Sequence, residues 1–438
     1  MEIFLERMKS LLGDEFGEFL KYYNGSKTFR GLRVNTLKCS ADKLSRLIGF
    51  ELKNTPFCRE GFYIPEEVQS IGNSPLHHAG AFYVQEPSAT SAVEMLGVEE
   101  GDKVLDLCAA PGGKSTQIAA KLNGKGLLWS NEIVKSRAII LLSNIERMGV
   151  RNAVVSNCRP DALCEKLKGY FDKILVDAPC SGEGMFRKNC GAVSEWSVEH
   201  VKSCAVRQLR ILNSAKYALK EGGELVYSTC TFSREENEEV ITRFIKENPG
   251  FSIVDSGVSF GRPALEYARR ILPQDGGEGH FAVKLRKNSG EGSVPDLKKP
   301  GAKIPDIAEE FYDDTFADRP FGDKFEIIGN NVYINFDLPD TGGLNVLRKG
   351  ILFAELKKNR IEPCHHAFMC AKAGDLNRKV DLDINSIDIK KFLHGEEIEI
   401  PPSLKGYTGV LVNGISTGFG KASGGRLKNK YPKGLRTL

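Results

Sequence analysis

Between Lys103 and Leu285 short apolar runs alternate with glycine-bearing turns and helix-period segments. That alternation restricts the fold to a mostly parallel sheet with helices on both faces. The runs are Val104–Leu107, Leu127–Trp129, Ala153–Val155, Ile174–Val176, Leu225–Tyr227 and His280–Leu285. Helical spacing fills Lys114–Leu122, Lys135–Met148 and Val201–Leu219. A further helix is expected from Glu235, with Ser233 and Glu236 spaced as a capping box. Ligands of such sheets sit at the carboxyl ends of the strands.

This unit, residues 99–288, is one part of a chain of 438 residues, long enough for two or three domains. Before it, residues 1–98 mix elements: a helical stripe of Phe4, Met8, Leu11 and Leu12, a strand pattern over Thr28–Leu37, a helix over Ala41–Ile48, and a helix opened by Pro87 that runs to Met95. After it, 289–310 reads as a linker rich in Gly, Ser, Pro and Lys. Residues 311–438 carry a hairpin pattern around Gly329-Asn330-Asn331 and strand-like runs at Val346–Leu356 and Thr408–Val412, predicting a small, mainly β unit.

Composition excludes several classes. With 41% hydrophobic and 27% charged residues the chain is neither disordered nor collagen-like. No window nears the roughly 18 apolar residues of a membrane helix. Glu2, Glu6, Arg7 and Lys9 interrupt the start, so no signal peptide is expected there. Eleven cysteines without a CxxC pair read as reduced thiols of a cytoplasmic protein. Charge is uneven: Thr341–Leu438 has 17 Lys+Arg against 9 Asp+Glu, and the remainder 44 against 48. A basic end on a neutral-to-acidic body points to a polyanion, most simply nucleic acid, or else to a solvated tail.

The chemistry gathers at strand ends. The first strand leads into Cys108-Ala109-Ala110-Pro111-Gly112-Gly113-Lys114-Ser115, a glycine turn entering a helix N-terminus, where backbone donors converge on a ligand. Neither GxGxxG nor the phosphate-loop pattern occurs, which disfavours a nicotinamide enzyme or an NTPase. The second strand ends at Glu132, placed either to hold a ribose or to end solvated. The fourth ends in Asp177-Ala178-Pro179-Cys180 and the fifth in Ser228-Thr229-Cys230. Two thiols at neighbouring strand tips form a candidate nucleophile and partner. Zinc competes, but neither cysteine has a second close ligand in sequence, and no metal is expected. Cys39, Cys158, Cys164 and Cys204 read as small core residues, and Cys364-His365-His366 with Cys370 as a packed β segment.

CAAPGGKS (108–115), DAPCSGEG (177–184) and STCTFSREENE (228–238) resemble the signature segments of the RNA 5-methylcytosine methyltransferases of the NOP/Sun family. Arg33-Val34-Asn35-Thr36, Tyr83-Val84-Gln85-Glu86-Pro87-Ser88-Ala89 and Gly277-Glu278-Gly279-His280-Phe281 agree with it, so the resemblance covers about residues 25–290. The tail, with Gly414–Gly420, is similar to the PUA-like domain of the bacterial members that act on 16S rRNA. The resemblance implies a Rossmann-like α/β methyltransferase sheet, a small N-terminal α+β RNA-binding subdomain and a C-terminal, mainly β PUA-like domain. It also implies methyl transfer from S-adenosylmethionine to carbon 5 of cytosine in rRNA. Cys230 would then add to carbon 6, Cys180 assist product release, Asp177 bond the base edge and help protonate ring nitrogen 3, and Lys114 contact the base or support the thiolate. DNA enzymes use the cysteine of the Pro-Cys pair, here Cys180, and Cys230 decides against that pattern. Cys108, Ala109, Ala110, Pro111, Gly112, Gly113 and Lys114 would wrap the methionine end of the cofactor and Glu132 its ribose, with Asp177 closing the set. The family's acid after the third strand is replaced by Arg159, and Asp161 stands two residues on.

A cytosine in folded RNA must be extruded to react, and RNA readers favour unstacked bases. The basic C-terminal unit and Arg33–Lys38 are the expected backbone contacts, joined by His77-His78 and Arg187-Lys188. A tRNA substrate and a non-catalytic ribosome assembly factor remain the alternatives, with an oxidoreductase a distant one. A monomer is expected.

Overall fold

In the computed structural model, residues 1–25, 27–289 and 295–437 are described. Residues 290–294 of the expected linker, and Leu438, lie outside them. Five parallel strands make the centre of the largest sheet: β1 (Lys103–Asp106), β2 (Leu127–Asn131), β3 (Ala153–Ser156), β4 (Phe171–Asp177) and β5 (Leu219–Thr229). Two antiparallel strands flank them, β6 (His280–Lys287) beside β5 and β7 (Val346–Lys349) beside β3. The order is β6-β5-β4-β1-β2-β3-β7, with short strands Arg269–Ile271 and Arg262–Pro263 beyond β6. The order reverses between β1 and β4, and the carboxyl-end crevice at that reversal is where such sheets take ligands.

Each central strand is buried on both faces, which explains its unbroken apolar run. Side chains alternate between two cores. Leu105, Trp129, Val154, Ile174 and Tyr227 enter one, against the helix Val198–Ala218 and the helix Glu238–Glu247. Val104, Leu128, Val155, Leu175 and Val226 enter the other, against the helices Ser91–Leu96, Gly113–Leu122 and Lys135–Arg147. The mostly parallel sheet with helices on both faces, expected from the alternation, is therefore present, and it has the Rossmann-like form that the resemblance implied.

Three local expectations are corrected. Val346–Leu356 is not one strand of a C-terminal sheet. Gly350, at φ +60°, breaks it, so that Val346–Lys349 closes the edge of the central sheet while Ile351–Lys357 pairs elsewhere. Pro87–Thr90 is a 3-10 turn, and the α-helix begins only at Ser91. The capping box of Ser233 and Glu236 does not form, because both side chains are drawn into a buried polar network; the helix starts at Glu238.

The N-terminal unit opens with the helices Glu2–Leu12 and Phe16–Tyr23, has shorter ones at Ala41–Leu47 and Pro75–His78, and forms an antiparallel sheet of Lys53–Asn54, Gly61–Tyr63, Gly31–Val34 and Phe82–Val84 in that order. The C-terminal part holds a four-stranded sheet within 325–363 and a five-stranded one within 379–429. Leu32, Val34 and Phe82 share a single core with Ile389, Phe392, Val410 and Tyr431, so the first and last units of the chain pack on each other. No helix among the described residues is long and apolar enough to cross a membrane.

Candidate active site

The site is assembled from four strand ends. After β1, Gly112 at φ +115° turns the chain into the helix Gly113–Leu122, a conformation suited to glycine. That turn aims Lys114 across the crevice, where its Nζ donates to Asp177 Oδ2 at 2.7 Å at the tip of β4. Ser228, next along β5, donates to Asp177 Oδ1 at 2.8 Å. Because β6 is antiparallel, its first residue lands at the same edge, and His280 Nε2 lies 3.8 Å from Asp177 Oδ1. Burial would raise the Asp177 carboxyl, but Lys114, His280 and the two hydrogen bonds bring it below its ordinary value. For Lys114 the same pairing outweighs burial and raises its pKa, so the pair is ionised through the neutral range. Burial, with the charge of Lys114 behind it, pushes His280 down to about 3.

The two strand-tip cysteines meet. Cys180 Sγ lies 3.3 Å from Cys230 Sγ. The hydrogen bond with Cys230, and then burial, holds the Cys180 thiol well above its usual range. Lys114 is close enough for its charge to interact with Cys230.

Two fully buried glutamates tie the cysteine loops together: Glu236, whose spacing suggested a helix cap, and Glu183, for which the sequence suggested no role of its own. Glu236 accepts from Ser181 N at 3.0 Å, from Ser181 Oγ and from Gln208 Nε2 at 2.7 Å. Glu183 accepts from Thr231 Oγ1 and Phe232 N, each at 2.9 Å, from Ser233 Oγ at 2.7 Å and from Trp196 Nε1 at 3.0 Å. Each carboxylate thus clamps the loop of one cysteine to that of the other. Backbones touch here as well: a Cβ on Gly184 would stand 3.0 Å from the carbonyl oxygen of Cys230 and 2.9 Å from that of Gly279. Glu183 lies inside the DAPCSGEG segment, and its burial beside hydroxyl-rich Thr-Phe-Ser was the available signal.

The glycine turn and Glu132 form the other half of the crevice. Ala109 N donates to Asn131 O at 2.8 Å, fixing the turn to the end of β2. Glu132 is buried, with Oε1 accepting from Val134 N at 2.9 Å and Oε2 3.5 Å from Arg137. Arg137 also donates to Ala110 O at 2.8 Å, and Asn144 to Pro111 O at 2.9 Å. Burial raises Asp106, beneath the turn, to about 7, and its Oδ1 has no partner among the described residues. A glycine turn over two buried carboxyl groups, one with a free oxygen, fits a ligand that combines hydroxyls with a positive centre. Cys108 faces the same crevice, and burial pushes its thiol far up. Asp161 stands apart: it is exposed and ion-paired to Arg159 at 2.5 Å.

Several expected RNA contacts prove internal. Arg33 is buried and donates to Gly113 O at 3.0 Å and Thr116 Oγ1 at 2.8 Å, so it braces the glycine turn. Lys38 gives its ammonium to the carbonyls of Ala79 (2.8 Å) and Ser416 (3.0 Å). Arg187 and Lys188 both pair with the buried Glu278. Cys364, His365, His366 and Cys370 form no cluster strand: His365–Cys370 is a helix, and the buried His366 bonds Val150 O at 3.0 Å.

The strand order, the glycine turn after β1 and the acid after β2 define a Rossmann-like methyltransferase. Residues 93–286 match the model of the 16S rRNA methyltransferase RsmB/F family. The N-terminal domain of 16S rRNA methyltransferase RsmF matches residues 2–87, its first C-terminal domain 310–370 and its PUA domain 379–437. Ribosomal RNA small subunit methyltransferase F of Vibrio vulnificus (strain YJ016) is 34% identical, spanning 99% of this chain and 97% of its own. Its counterpart in Vibrio atlanticus (strain LGP32) is 36% identical over 93% of this chain and 91% of its own. A methyltransferase homolog protein from Pyrococcus horikoshii superposes with a TM-score of 0.58 at 31% identity, covering 66% of this chain and 95% of that one. The chain belongs to the RsmB/F family of 16S rRNA methyltransferases.

Proposed function

We propose that the protein methylates carbon 5 of a cytosine in small-subunit rRNA, using S-adenosylmethionine and a transient bond between Cys230 and the base. The observation that carries this reading is the pair of thiols 3.3 Å apart beside the ion pair of Lys114 and Asp177. Carbon 5 of cytosine is a poor nucleophile. Addition of the Cys230 thiolate to carbon 6, with a proton placed on ring nitrogen 3, moves the double bond from carbons 5 and 6 to carbons 4 and 5, an enamine whose carbon 5 can attack a methyl group. S-adenosylmethionine, when bound, supplies that methyl in activated form. Asp177 bonds the base edge beside nitrogen 3, and Lys114 steadies negative charge on sulfur before addition. The carbon 5 proton then leaves, the bond to Cys230 breaks, and Cys180 assists that release.

For the cofactor, residues Cys108–Lys114 hold the methionine end, Glu132 both ribose hydroxyls, and Asp177 the inner wall. Asp161 is assigned to the adenine side, where its ion pair with Arg159 has to open. Replacing Glu132 with alanine removes charge-assisted hydrogen bonds worth about 1.5–3 kcal/mol, so cofactor Kd should rise by about 10–100-fold. Calorimetric titration of the two proteins checks this, and an unchanged Kd removes Glu132 from the ribose site.

The deciding experiment is transfer of labelled methyl to free small-subunit rRNA, assembled subunits and tRNA, with the label mapped to its base. Label on a cytosine of small-subunit rRNA is the expected result. Label on tRNA alone would change the substrate, and cofactor binding without transfer to any RNA would favour an assembly factor.

A further inference from the structure

A groove of about 910 Å³ runs between three parts of the chain, away from the crevice that holds the cysteines. Its walls are the short helix Pro75–His78, the last turn of the helix Lys135–Arg147, and the C-terminal unit around the helix Ile387–His394 and residues 431–437. His77, His78, Arg147, Lys390, His394 and Arg436 line it, with no aspartate or glutamate among the described lining residues. Among the described residues Arg147, Lys390 and Arg436 form no ion pair with a carboxylate. Arg187 and Arg348, by contrast, are paired with Glu278 and Glu146, while Arg33 and Lys38 spend their donors on neutral oxygens inside the protein.

Arg147 is the telling residue. It donates to His77 O at 2.9 Å and Asn144 Oδ1 at 3.0 Å, and lies 5.6 Å from the centroid of the Tyr83 ring. Burial lowers its pKa, and no carboxylate offsets that cost. A desolvated guanidinium without a counter-ion is expensive, and an anion entering the groove would complete it. Around it, His78 is fixed by its 2.8 Å bond to the Tyr431 hydroxyl, and burial keeps His77 neutral, down at about 3. Neutral imidazoles and a planar guanidinium fork suit phosphate oxygens.

We propose that this groove seats the sugar-phosphate backbone of the RNA at a distance from the target base, with Arg147 at its floor and Lys390 and Arg436 at its rim. This rests on the RNA-methyltransferase reading above. The concave shape admits a strand and excludes a flat lipid surface. The groove is also wired to the active-site turn, since Asn144, bonded to Arg147, donates to Pro111 O at 2.9 Å. Tyr83, beneath Arg147, packs against Gly113. Seating of the backbone thereby braces the loop that carries Lys114.

The test uses the full chain with Lys390→Gln/Arg436→Gln, which leaves the hydrogen bonds of Arg147 in place. KM for RNA is expected to rise about 10-fold at moderate salt, and the slope of log affinity against log salt to become shallower by about 0.7 per cation removed. Lys303→Gln/Lys358→Gln makes the same change in charge away from the groove and should alter neither quantity. Arg147→Lys keeps the charge but loses the fork, and is expected to weaken binding while leaving the salt slope near wild type. An unchanged KM and slope in the Lys390/Arg436 variant, with wild type still methylating RNA, overturns the groove proposal. A wild-type protein that methylates no RNA overturns the underlying function instead.

Discussion

Cys230→Ala is expected to lower methyl transfer by at least ~10³-fold and to yield no covalent protein–RNA species on a denaturing gel. Cys180→Ala should do the opposite on the gel, accumulating the adduct because its release is impaired. The geometry separates the two thiols. Cys180 shares its hydrogen bond with Cys230 and is partly shielded from solvent, both of which hold its thiol well above the usual range, so it is suited to handle a proton rather than to attack. Cys230 lies within reach of the charge on Lys114, which would steady the sulfur as it bonds to the base. Circular dichroism of both variants checks that alanine leaves the fold intact. An adduct formed by Cys230→Ala would reverse the assignment.

Glu183→Ala is expected to cost about 3–5 kcal/mol of stability, an outsized effect for one side chain. The carboxylate is buried and satisfies four donors from Trp196, Thr231, Phe232 and Ser233, all of which would lose that acceptor at once. Urea unfolding reads this as a lower midpoint at unchanged m. Activity should fall further than stability alone explains, because Thr231 and Phe232 directly follow Cys230 and would no longer be held. Glu183→Gln retains one acceptor oxygen and should fall between. A midpoint within about 0.5 kcal/mol of wild type would show that the clamp contributes nothing measurable.

What the sequence made legible follows from where each residue's partners lie. Val154 and Ile174 sit in strands buried on both faces, so their apolar runs are local and visible. Cys180 and Cys230 could be placed because a residue after a parallel strand has only one crevice to face. Glu236 misled for an equally physical reason: three residues from Ser233 it has the spacing of a cap, yet its hydrogen-bond partners are Ser181 and Gln208, far away in sequence. Arg33 has the composition of an RNA contact, and only the packing of the N-terminal sheet on the glycine turn shows that its donors are consumed inside. Val346–Lys349 joins a sheet whose other strands end some sixty residues earlier, a pairing that no local period announces.

The core shared by Leu32, Val34 and Phe82 with Ile389, Val410 and Tyr431 also bears on how the protein is made. A ribosome releases the first three of these residues roughly 300 residues before the others, a wait of roughly 15–60 s at ordinary elongation rates. During that interval the early half of the core is a sticky surface with nothing to cover it, and holdase chaperones have a natural client. The last segment to emerge acts as a latch on the first. The two ends therefore form a single folding unit, and neither can be cut away as an independent module.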